Sequence, residues 1–217
     1  MRSGQFPATL KASRITALFK GGNPTVCSNY RPVSIVSAVS KMYERVICSR
    51  LEEFLSSTEA LHQRQFGFQK CCNTTSAVLG LVGEVVKSIE ARRYTATIFL
   101  DVSKAFDCVK HDLRLEKLEK LWVRRPILDV LRDYLFGRTQ RVDMGGYRSR
   151  DYFVYDGVPQ GSVISPLLFR IFIDDIFELD LRGVLQLFAD DGEVTYSADT
   201  LDELHGIMQH NLHLLEL

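Results

Sequence analysis

At 217 residues, 46% hydrophobic and 25% charged, the chain has the composition of a globular protein with apolar surface enough for one domain or one and a half. This excludes a disordered or low-complexity chain; no apolar run is long enough to span a bilayer, and the N-terminus lacks the basic-then-apolar layout of a signal peptide. The net charge of zero hides a division, with eight Lys and Arg against the single acid Glu44 in residues 1–50, seventeen against thirteen in 51–150, and only Arg170 and Arg182 against thirteen acids in 151–217.

That division suggests a basic surface for polyanions beside an acidic region able to hold divalent cations. The five cysteines, Cys27, Cys48, Cys71, Cys72 and Cys108, are odd in number and not spaced as zinc ligands, so they read as reduced thiols of an intracellular protein. In chain order, residues 13–22 read as a strand ending in a Gly-Gly turn. Residues 34–56 place Val36, Val39, Met42, Tyr43, Val46, Ile47, Leu51, Phe54 and Leu55 at helical spacing, with Ser34 or Ser37 as the cap. Residues 74–93 read as a second helix, weakened by Gly80 and Gly83. The β-branched and aromatic stretch 94–102 reads as a strand. Residues 111–122 and 127–136 are amphipathic helices, the second set off by Pro126. Residues 138–157 suggest a hairpin turning at Gly145-Gly146. Residues 165–178 suggest a helix with Ser165 as N-cap and Pro166 at its first position. A hairpin over 184–197 and a helix over 200–217 complete an α+β order.

Three places carry chemistry. In 187-LFADDGEVTY-196 the adjacent Asp190 and Asp191 lie between apolar flanks, and Asp191-Gly192 is a favoured two-residue turn that would set the acids at a hairpin tip. An ordinary Asp-Gly turn is the plainer reading. Asp174-Asp175 is a contrasting pair: in a helix its members point about 100° apart, so it reads as surface charge. In 98-IFLDVSKAFDCV-109, Asp101 ends an apolar strand, where a carboxylate must be paired, hydrated or bound to metal. Asp107 reads as structural. If that strand lies beside the Asp190 hairpin, three carboxylates converge in a set suited to Mg²⁺ or Mn²⁺. In 156-DGVPQGSVISPLLF-169, Gly157, Pro159 and Gly161 constrain a loop that feeds a helix N-terminus, and Gln160 offers an amide donor and acceptor.

Taken together, 14-RITALFKGG-22, 29-NYRPVSIVSAVSKMYERVICSRL-51, 65-QFGFQK-70, 98-IFLDVSKAFDCVKHDL-113, 137-GRTQRV-142, 157-GVPQGSVISPLLFRIFIDDI-176 and 187-LFADD-191 closely resemble, in order, the reverse transcriptases of non-LTR (LINE-like) retrotransposons. The resemblance implies a right-hand polymerase of fingers and palm, with an antiparallel palm sheet flanked by helices. Residues 1–93 would be mainly fingers and 94–217 mainly palm, with fingers elements interleaving near 110–150, in one partial reverse transcriptase domain. It implies an RNA-directed DNA polymerase that adds dNTPs to a DNA primer on an RNA template, in retrotransposition. Asp101, Asp190 and Asp191 would be catalytic and, with the Val102 carbonyl, would hold two Mg²⁺ or Mn²⁺ ions. Lys20 and Arg31 would contact the triphosphate. The backbone of Ser103, Lys104, Ala105 and Phe106 would lie under the triphosphate and sugar, with the Phe106 ring excluding a ribose 2′-hydroxyl. Gln160 and Gly161 would support the nascent base pair and the sugar.

The chain departs from the family pattern at Gly192 and Glu193, at Ile164-Ser165, at 121-LWVRRP-126 where the family tends to a glycine turn, and at 71-CCNTT-75. It stops about one helix after the paired acids, so the thumb and endonuclease domains are expected to be missing. No membrane association is expected, and work on chromosomal DNA would place the protein in the nucleus. The alternatives are a catalytically inactive, truncated retrotransposon remnant that at most binds nucleic acid, and a metal-dependent phosphohydrolase.

Overall fold

The computed structural model describes residues 4–102 and 105–215. Ser103 and Lys104, both expected at the nucleotide, lie outside the described residues. The chain forms two compact units, each discontinuous in sequence: Met1–Ala60 with Lys104–Phe172, and Leu61–Ser103 with Ile173–Leu217.

The first unit is built on a mixed five-stranded sheet. β1 (Ala12–Phe19) pairs antiparallel with β2 (Tyr30–Ile35) and parallel with β4 (Arg138–Met144). β4 also pairs with β5 (Tyr147–Arg148) across the expected Gly145-Gly146 turn and with β6 (Tyr152–Val154). Among the described residues four α-helices belong to it: α1 (Ala38–Ser57), α3 (His111–Lys120), α4 (Ile127–Leu135) and α5 (Ser165–Ile173), the last reaching the unit boundary. Leu51, Leu118, Leu131, Tyr134, Leu135 and Leu168 are fully buried among them. The α1 helix starts later than its apolar spacing suggests. Ser34 belongs to β2, where its N–H donates to the Gln160 carbonyl (2.7 Å), and Ser37 is the cap, accepting from Ser40 N–H. The helix expected over 165–178 ends at Ile173 and continues as a single 3₁₀ turn, Asp174–Glu178.

The second unit is a three-stranded antiparallel sheet in the order β3 (Tyr94–Asp101), β8 (Asp191–Ala198), β7 (Val184–Phe188), with helices α2 (Thr74–Glu90) and α6 (Leu201–Leu215). Alternation along the strands gives the sheet two different faces. Ala96, Ile98 and Leu100 join Leu185, Leu187, Val194 and Tyr196 on one, packed with Leu204, Ile207 and Met208 of α6. Asp101, Asp191, Glu193 and Gln186 belong to the other, where Gly80 of α2 approaches Gln186 so closely that a methyl group there would sit 2.4 Å from its Oε1. Gly80 thus serves close packing in α2. An Asn73 capping box starts that helix, Asn73 Oδ1 accepting from Ser76 N–H at 2.9 Å.

The hairpin of this unit differs from expectation by two residues. Phe188 pairs with Asp191, so the turn residues are Ala189 and Asp190. Gly192 is inside β8, paired with Leu100 and Leu187; a side chain there would press on both leucines, at 3.3 and 3.0 Å. Its lack of a side chain serves the packed face of the sheet, and the Asp-Gly turn signal was misleading for that reason. Ala189 takes a positive φ of 60° and Asp190 does not, the pattern of a II′ turn that usually places glycine first. A positive φ is uncommon for any residue other than glycine. None of the five cysteines forms a disulfide. Among the described residues no helix is long and apolar enough to cross a membrane.

Candidate active site

The antiparallel register of β3 and β8 sets Asp101 directly opposite Asp191. Such partners stand with Cβ atoms about 5 Å apart. Asp190 is the neighbouring turn residue, so all three acids lie at one end of one ladder. Asp101 and Asp191 are exposed and Asp190 half-buried. Val102, which follows the strand, is exposed. Beside the ladder opens a cavity of about 400 Å³, lined by Thr74, Ala77 and Val78 of α2 and by Phe99, Asp101, Asp191 and Glu193 of the sheet. Glu193, the extra acid of this sequence, accepts from Gln186 Nε2 at 2.6 Å, which ties its carboxylate to the β7 side.

Three carboxylates at one strand end form a hard-oxygen donor set, and that chemistry fits Mg²⁺ or Mn²⁺. The side chains of the described residues do not gather three or more His, Cys, Asp or Glu groups about one point. What the fold supplies is the adjacency of Asp101, Asp190 and Asp191 along the backbone.

The segment Leu61–Gln69 shapes the turn. Phe66 N–H donates to the Leu187 carbonyl (2.7 Å) and Leu187 N–H to the Arg64 carbonyl (2.9 Å), extending the sheet past β7. Gln65 is buried, with its amide on the Ala189 backbone. In the sequence the mark of Gln65 is a polar amide leading the Phe-Gly-Phe run of 65-QFGFQK-70, which by itself assigns it no role. Asp174, read as surface charge, accepts the His62 N–H at 3.0 Å, and His62 stacks on Phe177 at 3.9 Å.

Within the first unit the remaining expected residues fall into two groups. Arg31 Nε donates to Gln160 Oε1 (3.4 Å), and Gln160 Nε2 donates to Asp107 Oδ1 (3.1 Å), so these three side chains form a relay. Gly161 has φ +124°, and a side chain there would strike the Ser34 carbonyl at 2.5 Å. The loop that follows is held by Glu44, which is fully buried. Its carboxylate accepts from Ser40 Oγ (2.9 Å), Ser162 Oγ (2.7 Å) and Val163 N–H (2.8 Å). The Tyr134 hydroxyl donates to Ser162 Oγ (2.7 Å), and burial pushes its pKa up to about 12. Ala105 is buried. Phe106 is half-buried and stacks on Phe169 with ring centres 4.4 Å apart. The Phe106 carbonyl accepts from Val158 N–H, and Gly157 passes so close to Asp107 that a side chain would sit 2.9 Å from its Cα. Lys20 is exposed, and its N–H donates to the Asn29 carbonyl.

The family model for reverse transcriptase (RNA-dependent DNA polymerase) matches residues 18–216. The chain is 32% identical over 218 residues to a probable RNA-directed DNA polymerase from transposon BS, and 33% identical over 216 residues to the RNA-directed DNA polymerase of mobile element jockey, both of Drosophila melanogaster. These alignments cover 97% and 95% of this chain and 24% of each relative, so it spans about a quarter of their length. Among solved structures, apo telomerase from Candida tropicalis truncated from its C-terminal domain superposes with a TM-score of 0.65 at 13% identity, over 93% of this chain and 46% of that one. That likeness concerns the fold, a mixed α+β polymerase arrangement. The chain belongs to the reverse transcriptase (RNA-dependent DNA polymerase) family, as a domain of the non-LTR, LINE-like class.

Proposed function

We propose that the chain is the nucleotide-adding core of an RNA-directed DNA polymerase, which extends a DNA primer on an RNA template during retrotransposition. The observation that carries this reading is the Asp101–Asp191 register with Asp190 in the adjoining turn. In it the β3–β8–β7 sheet is the palm, and β1 and β2 belong to the fingers. Asp101, Asp190, Asp191 and the Val102 carbonyl hold two divalent ions. Bound there, Mg²⁺ or Mn²⁺ would acidify the primer 3′-hydroxyl and neutralise the triphosphate charge.

The protein's own groups do the rest. Arg31, fixed by Gln160, presents a guanidinium to phosphate oxygens, and Lys20 adds a second cation. Ser103, Lys104, Ala105 and Phe106 carry the sugar and triphosphate, with the Phe106 ring closing the space a 2′-hydroxyl would need. Gln160 and Gly161 support the nascent pair and the sugar, and the missing side chain of Gly161 lets their loop pass against the Ser34 carbonyl.

Primer extension on an RNA template, with Mg²⁺ or Mn²⁺ and dNTPs, tests the reading. Asp101→Asn and Asp190→Asn are each expected to cost several kcal/mol of charge stabilisation, a rate loss of roughly a hundredfold or more. Extension unchanged by both substitutions contradicts the assignment. Phosphate release without extension favours a phosphohydrolase.

A further inference from the structure

Gln65 is 1% exposed, and its amide is spent on the backbone. A primary amide has one acceptor oxygen and two donor hydrogens. Here Oε1 accepts from Ala189 N–H (3.1 Å) and from Gly67 N–H (2.9 Å), while Nε2 donates to the Ala189 carbonyl (3.2 Å). Both polar groups of one turn residue are therefore held by one side chain 124 residues away in sequence.

The residue so held is the one that needs it. Ala189 stands at φ +60°, in the place a II′ turn usually gives to glycine. Its carbonyl lies in the peptide plane that continues to the nitrogen of Asp190, and that plane is rigid. Fixing the carbonyl fixes the direction in which the chain enters Asp190. The backbone of the Gln65 segment also comes close to the turn. A side chain on Gly67 would stand 2.1 Å from Ala189 N, so the Gln65–Gly67 segment sits directly against the turn.

We infer that Gln65 is a positioning residue for Asp190: its amide holds the Ala189–Asp190 turn in a conformation that alanine disfavours, and so presents the Asp190 carboxylate beside Asp101 and Asp191. The inference rests on the reading that these carboxylates carry the chemistry. A mispositioned catalytic group costs rate while leaving substrate affinity nearly intact, which separates this role from a purely structural one.

The test uses the full chain with Gln65→Met, which keeps length and removes hydrogen bonding, and with Gly67→Ala, which forces the segment away from the turn. Circular dichroism and a cooperative melt establish folding. Should Gln65→Met fail to fold, Gln65→Asn, one methylene short of the turn, replaces it. The expected result has three parts. Hydrogen exchange at the Ala189 amide rises about tenfold or more while the β3–β8 amides keep their protection. Mn²⁺ affinity, read by electron paramagnetic resonance, falls. Primer extension loses about tenfold to hundredfold in kcat, with the dNTP KM little changed. Unchanged Ala189 exchange overturns the inference, and so does faster exchange with kcat and Mn²⁺ binding at wild-type values. A wild-type protein showing neither extension nor Mn²⁺ binding that depends on Asp190 sinks the polymerase reading itself, and Gln65's role in that chemistry goes with it.

Discussion

His111 shows how a single side chain couples loop and helix in the first unit. It starts α3 and donates Nε2–H to the Gly157 carbonyl at 2.8 Å, while Nδ1 is buried with no hydrogen-bond partner among the described residues. Burial holds its pKa below the ordinary 6.5, against the opposing pull of the Gly157 bond. Below 6.5 the unfolded chain takes up a proton that the folded chain refuses, so stability falls as pH drops from there toward the folded value. For Asp133, burial alone would raise the pKa. The Lys11 hydrogen bond (2.7 Å), the Phe6 N–H (2.7 Å) and the Lys11 charge outweigh it and hold the carboxyl below its usual 3.8. Its contribution is present above 3.8 and is lost as pH falls further. His111→Asn, which keeps a donor for Gly157, is expected to be less stable than wild type at pH 7, and the gap should shrink between pH 7 and 5 in urea melts. A gap independent of pH contradicts the assignment. Phe106→Ala is expected to relax selection against ribonucleotides by about tenfold or more in kcat/KM ratio, through lost steric exclusion. Unchanged selectivity would leave Phe106 as packing for Phe169. Asp101 drew notice at this scale because a carboxylate ending an apolar strand must be paired, hydrated or bound to metal, and the ladder sets it opposite Asp191. Gln65 and Glu44 did not draw notice, since what makes them important is a backbone group 124 residues away in one case and a loop 119 residues away in the other.

At the scale of elements, strands and helices followed their apolar periods, and the ends did not. Three helices close with the same pair of bonds, formed by non-glycine residues. After α3, Trp122 N–H donates to the Glu119 carbonyl and Val123 N–H to that of Leu118, with Trp122 at φ 63°. Glu59 after α1 and Arg92 after α2 take the same left-handed conformation, at φ 48° and 56°. These are Schellman closures, where glycine is the usual signal. Without it the sequence marked these helix ends one to three residues away from where they fall. Trp122 is well exposed, and Arg124 lies over its ring at 4.7 Å. Removing the left-handed strain outweighs losing that exposed contact, so Trp122→Gly is expected to stabilise the fold by roughly 0.5–1 kcal/mol. A lower midpoint in denaturant counts against this account of the α3 end. The β7–β8 turn failed to read for a related reason. The glycine that signals a turn was used for packing, and the turn itself took an alanine held by a distant amide.

Over the whole chain, the lopsided charge seen in the sequence follows the division into units. The first unit carries 21 Lys and Arg against 13 Asp and Glu, a net of +8, and the second 6 against 14, a net of −8. A basic unit suited to nucleic-acid phosphates and an acidic unit suited to cations are what the proposed chemistry needs. RNA affinity is therefore expected to fall linearly with salt on logarithmic axes, with a slope set by the number of phosphates contacted, and to be indifferent to Asp190→Asn. Salt-independent binding contradicts this. The local order of elements was legible along the chain, but the parallel β1–β4 pairing and the discontinuous units were not, because both depend on contacts between segments far apart in the sequence. The most direct test of the central claim, that Asp101 and Asp190 act as one centre, is a double-mutant cycle in RNA-templated primer extension. If the two acids serve one centre, the Asp101→Asn, Asp190→Asn double variant is about as slow as the slower single variant. Rate losses that simply multiply, each single variant retaining its own independent effect, contradict the claim.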